Sequence, residues 1–120
     1  MKIRAIIIIC IFAVSATSCV QKSSEKTVTF TVDVSAIKDV KSVSLRGKEK
    51  PLSWRKGVEM TPVKQDSIYT AKVTFLTGYK FTEVKFVVND EFELKDKDNR
   101  RVEYSDSDTT MYNAVFNVPK

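Results

Sequence analysis

The chain has no histidine, and its only cysteines are Cys10 and Cys19. Without an imidazole to take up a proton, Ser-His and Cys-His nucleophile–base pairs are excluded. Zinc sites built from Cys and His are excluded with them. Cys19 is the only cysteine past the apolar N-terminal run, so the chain beyond that run can form no internal disulfide. A spanning helix needs ~20 apolar residues, and the uncharged stretch from Ala5 to Val14 is too short for one. Lys and Arg number 20 against 15 Asp and Glu, but they are spread out. The clustered patch of a nucleic-acid footprint is missing, and nucleic acid is not the expected partner. "DKDN" at 96–99 lacks the glycine and the closing glutamate of a calcium loop and reads as a polar turn. No metal or cofactor is therefore expected. Beyond Cys19 there is no sustained helical period, no internal repeat and no low-complexity tract.

What is present begins with an export signal. "MKIRAIIIICIFAVSATSC" runs from two cations, Lys2 and Arg4, through apolar residues to small ones, the layout of a secretory leader. "ATSC" resembles the lipobox of bacterial lipoproteins, with Ala16 where leucine is usual three residues before the cysteine. That resemblance implies cleavage before Cys19 and acylation of Cys19, and it explains a lone thiol in an exported chain. Each buried methylene adds ~0.8 kcal/mol, so two or more acyl chains anchor firmly. By the same resemblance, Val20 rather than Asp after the cysteine implies sorting to the outer membrane. The expected organisation is a signal peptide over 1–18, a lipidated N-terminus and polar tether over 19–26, and one domain over 27–120. Without Lys2 and Arg4, 18 basic residues face 15 acidic ones, a net of +3.

The domain reads as strand after strand. "TVTFTVDV" sets Val28, Phe30, Val32 and Val34 on one face against Thr27, Thr29, Thr31 and Asp33 on the other, the period of a half-buried strand. "VKSVSLRG" follows with Val43 and Leu45, then "SIYTAKVTF" with Tyr69, Ala71, Val73 and Phe75. "TEVKFVVN" puts Val84, Phe86 and Val88 inward, with Glu83, Lys85 and Asn89 outward. "EFEL" and "RRVEYS" are short, and "TTMYNAVFNV" places Tyr112, Ala114, Phe116 and Val118 inward. This pattern predicts an all-β fold, an antiparallel immunoglobulin-like β-sandwich of about seven strands. A chain of this size buries roughly two-thirds of its unfolded surface and needs no disulfide.

Three separated stretches, "SLRGKEKPLSW", "TEVKFVVND" and "EFELKDKDNR", resemble the starch-binding β-sandwich of carbohydrate-binding module family 20. The resemblance spans about residues 27–118. Carried over residue by residue, it implies an α-glucan site on Trp54, Lys85, Phe92, Glu93 and Asn99. In that family two aromatics stack on sugar rings, and the Lys, Glu and Asn bond the hydroxyls around them. Here Phe92 stands where the family has tryptophan, Val84 where it has tyrosine and Ser53 where it has glycine. The stretch from Glu93 to Asn99 is two residues longer than the common pattern. "TPVKQDS" carries no tyrosine for the family's second site.

Each of these residues also has a purely structural reading. Trp54 can lie as a lid over one end of the sandwich, burying a large aromatic area. Phe92 alternates with Glu91 and Glu93 in "EFEL", which would face it to the core and Glu93 to solvent. Lys85 reads as a solvated lysine and Asn99 as a turn residue. Arg46, Lys48, Lys50, Arg55 and Lys56 read as a solvated loop edge. Two functions follow. One is non-catalytic binding of starch-like poly- or oligosaccharide by a lipid-anchored envelope protein. The other is a scaffold module docking an envelope protein through the same sandwich. A surface shared by Trp54 and Phe92, with Lys85 beside them, favours the first; a buried Phe92 and an isolated Trp54 favour the second. An enzyme is not expected, since nothing signals a cleft with paired carboxylates.

Overall fold

The computed structural model describes residues 22–119. The leader, the lipobox and Cys19 lie outside the described residues. Nine strands form in chain order: β1 (Ser24–Asp33), β2 (Val43–Gly47), β3 (Val58–Glu59), β4 (Thr61–Lys64), β5 (Ile68–Thr77), β6 (Phe81–Val88), β7 (Glu91–Phe92), β8 (Arg100–Glu103) and β9 (Thr109–Val115). They build two sheets. One has the order β4-β5-β1-β9; the other has the order β3-β2-β6-β7, with β8 pairing the same edge of β6 farther along.

Alternation is what closes the sandwich. Val28, Phe30 and Val32 of β1, and Val34 just beyond it, face inward and are fully buried, as are Val84 and Phe86 of β6. Phe30 and Phe86 meet across the two sheets edge-to-face, with ring centroids 6.4 Å apart, a favoured aromatic geometry. Phe75 of β5 packs on Phe30 from its own sheet at the same separation, 6.4 Å. Turn chemistry sets the register where it matters most. Asn89 and Asp90 both hold positive φ, 51° and 65°, between the paired residues Val88 and Glu91. Two central residues with φ > 0 make the tight turn whose twist matches a hairpin, and Asn and Asp tolerate that conformation. Asn89 also fastens its neighbourhood: its Oδ1 accepts from the Lys41 and Ser42 amides, and its Nδ2 donates to the Asp39 carbonyl.

The expected all-β sandwich is what the chain forms, with four amendments. β1 and β9 pair in parallel, while every other pair is antiparallel. The short strands β3 and β4 fall in a stretch with no clear alternation. Val118, expected inward, is exposed, because the chain leaves the sheet after Val115. Asn89, expected outward in a strand, stands in the turn after β6 and anchors a loop with its side chain.

Candidate functional site

The outer face of the five-stranded sheet begins with a cross-strand pair, Arg46 of β2 opposite Lys85 of β6. Leu45 and Phe86 are fully buried on the other face, so parity sends both cations outward. Two residues up β6, Val87 lies between Ser44 of β2 and Phe92 of β7. Phe92 is half-buried at the same edge. Arg46 joins this corner to the loop over residues 48–57. Its Nη1 donates to the Trp54 carbonyl at 3.0 Å, and its guanidinium carbon lies 5.1 Å from the centre of the Phe92 ring. That is cation–π distance.

The loop carrying Trp54 is held at several points. Leu52 is buried in the core and pins the middle of the loop. The Gly47 amide donates to the Ser53 carbonyl at 3.3 Å, and the Lys48 amide to the Glu83 carbonyl at 3.0 Å. Ser53 Oγ accepts from the Lys56 amide at 3.0 Å, closing a small turn. The two flanking glycines are required by contact. A Cβ on Gly57 would stand 2.6 Å from Ser44 Oγ, and one on Gly47 would stand 2.8 Å from Leu52 Cδ1 and 2.9 Å from the Glu83 carbonyl. The loop therefore lies against β2 and β6, and Trp54 is held in place with 36% of its surface exposed.

Lys85 extends toward the segment that follows β7. Its Nζ donates to the Leu94 carbonyl at 3.0 Å and the Lys97 carbonyl at 3.2 Å. An ammonium has three N–H groups, so one remains for a ligand. Asn99 stands one step before β8, where the β6–β8 register continued would put it opposite Lys85. Its Nδ2 donates to Glu83 Oε1 at 3.0 Å, leaving its amide oxygen and a second N–H. A cavity of about 600 Å³ adjoins this corner, lined among others by Phe92, Leu94, Lys97, Phe116 and Asn117.

Glu93 corrects the sequence reading. Expected outward, it is fully buried. The pairing of Phe92 with Val87 sets Phe92 on the outer face, so the next residue, Glu93, turns inward by strand alternation. Leu94, with φ 52°, is buried in its turn. Both Glu93 oxygens are taken. Oε2 accepts from Arg100 Nε at 2.6 Å and the Phe86 amide at 2.9 Å. Oε1 accepts from Arg100 Nη2 at 2.8 Å and the Asn117 amide at 3.0 Å. Burial works most strongly against the charge of Arg100, but the hydrogen bonds and charges of Glu93 and Tyr112 together outweigh it and hold the guanidinium pKa above its ordinary value. Arg100 Nη2 also reaches the carbonyls of Val115 and Val118, each at 2.9 Å. This carboxylate fastens the C-terminal segment and has no oxygen free for a sugar.

Of the five expected site residues, Trp54, Lys85, Phe92 and Asn99 gather on one face, and Glu93 turns away from it. Arg46 belongs with the four. Its cationic neighbours in sequence suggest a solvated loop edge, yet its place one step after Leu45 in an alternating strand marks it as outward and central. The assembly can offer an indole surface, a guanidinium plane, one ammonium N–H and an amide able both to donate and to accept. The chain matches no family model, and no curated protein matches it.

Proposed function

We propose that the domain binds α-glucan-like carbohydrate without catalysis, and that acylation of Cys19 holds it at the cell envelope, in the outer membrane. The observation that carries this reading is the Arg46 bridge. It ties the exposed Trp54 to Phe92, with Lys85 directly across the strand. A pyranose ring has an apolar C–H face suited to the indole, and hydroxyls suited to the lysine and asparagine at the rim. A preorganised loop lowers the ordering cost of binding. One full aromatic and a few solvent-exposed hydrogen bonds support only weak affinity, with Kd on the order of 0.1–10 mM.

Docking of an envelope protein is the second reading, and one observation favours it. The Phe92 ring already has Arg46 over it, so Trp54 is the one bare stacking surface of the pair. Affinity electrophoresis of residues 20–120 through a gel containing soluble starch separates the two. Retardation that disappears in Trp54→Ala is the expected result; unretarded wild-type protein moves the assignment to docking.

A further inference from the structure

Beyond Lys85 the same outer face continues along β6 through Glu83 to Phe81. There the strand ends at a second cavity of about 500 Å³, bounded by Glu49, Tyr79, Phe81 and Glu83. It is separate from the Trp54 corner but built from the same parts. Glu49 belongs to the loop that carries Trp54, and Glu83 stands two residues from Lys85 on one strand face.

The chemistry of this cavity is aromatic and acceptor-rich. Tyr79 is 73% exposed, in the connection by which the chain passes from β5 in one sheet to β6 in the other. Its amide donates to Thr77 Oγ1 at 3.0 Å, which holds the turn. Phe81 carries the Arg101 guanidinium carbon 3.6 Å from its ring centre, so Tyr79 is the free stacking surface. Both carboxylates are half used. Glu49 Oε1 accepts from the Tyr104 hydroxyl at 2.7 Å, and Glu83 Oε1 accepts from Asn99. Among the described residues neither Oε2 atom has a hydrogen-bond partner. A carboxylate oxygen can only accept, so each suits a donor such as a sugar hydroxyl. The two carboxylates are matched by two cations, Lys48 in the lining and Arg101 on the Phe81 ring, so charge does not select the ligand. A polyhydroxylated ring with one apolar face fits both features.

We infer that this cavity is a second sugar subsite, filled by a further residue of the same glucan chain that Trp54 holds. The inference rests on the reading in the preceding subsection. From Lys85 to Phe81 is four residues of strand, ~13 Å at 3.3 Å each, so the ligand is an extended chain and not a mono- or disaccharide. Glu83 is the joint: its carboxylate holds Asn99 at the first subsite and keeps one oxygen for the second.

The test is an amide-correlation NMR titration of residues 20–120, the span that contains the whole described core, with maltoheptaose and, separately, maltose. Maltoheptaose is expected to shift the Trp54 indole N–H and the Tyr79 and Glu83 amides with one midpoint. Tyr79→Ala is expected to weaken maltoheptaose about five- to tenfold, the loss of one aromatic stack, and to leave the maltose midpoint at Trp54 unchanged. Tyr79 is exposed, so the variant should melt with the wild type. If maltoheptaose moves Trp54 with the same midpoint in wild type and Tyr79→Ala, the second subsite is overturned and the Trp54 site stands. If neither sugar moves Trp54, the proposed function falls and the subsite falls with it.

Discussion

Arg100 grips Glu93 through two hydrogen bonds, Nε to Oε2 at 2.6 Å and Nη2 to Oε1 at 2.8 Å, with both side chains out of reach of water. Removing one partner of a buried pair leaves an uncompensated charge and typically costs about 3–5 kcal/mol. Glu93→Ala should therefore lose roughly that much in urea denaturation, since it also orphans the Phe86 and Asn117 amides. Replacing both partners, Glu93→Leu with Arg100→Met, should cost less than Glu93→Leu alone. A loss under ~0.5 kcal/mol for Glu93→Ala, the range of an ordinary surface site, would put Glu93 back on the surface.

That pair also marks where the sequence stopped being legible. Val28 to Val34 and Val84 to Val88 could be read because a half-buried strand must alternate. The same rule gives Glu93 the wrong phase: the pairing with Val87 turns Phe92 outward and Glu93 inward, and a left-handed Leu94 buries the next side chain as well, so that the apolar Phe92 and Leu94 do not share a face. No local pattern announces a left-handed leucine. The parallel pairing of β1 with β9 joins residues some eighty positions apart, which no window of sequence contains. Phe92, Lys85 and Trp54 stand out in the sequence only by resemblance to a sugar-binding module, whereas Arg46 is open to parity alone and is hidden among several cations in a row.

Gly57 gives a test of the loop. A Cβ there would press on Ser44 Oγ and Cβ at 2.6 and 2.8 Å. Gly57→Ala should cost about 1–3 kcal/mol, as overpacking does, and should alter Trp54 fluorescence by shifting the loop. Adding Ser44→Gly removes both offending atoms and should restore much of the loss. Gly57→Ala with wild-type melting and emission would mean that the loop does not rest on β2.

Tyr104 predicts alkaline behaviour. Burial first, and then the hydrogen bond to Glu49 and that carboxylate's charge, push its phenol pKa well above the ordinary value. The ordinary value is about 10. The folded chain thus keeps a proton that the unfolded chain gives up. Its contribution is complete below about pH 10 and is lost as pH rises above that. Melting temperature should fall above pH ~10 more steeply in the wild type than in Tyr104→Phe. Parallel curves would contradict the assignment.

Lipid attachment is tested on the full-length chain in its native export pathway. Labelled palmitate should enter the protein and carry it into the detergent phase, and Cys19→Ser should abolish both. Lipid label retained by that variant would overturn the anchor.

The most direct test of the central claim uses the chain's single tryptophan as its own reporter. Titrating residues 20–120 with a malto-oligosaccharide should quench or shift Trp54 emission with a midpoint on the order of 0.1–10 mM. Trp54→Ala should abolish sugar binding in the starch gel while melting within a few degrees of the wild type, because an exposed platform holds ligand and not fold. Emission unchanged by sugar, together with a loss of ~3 kcal/mol or more in Trp54→Ala, would contradict the account and make Trp54 a structural lid.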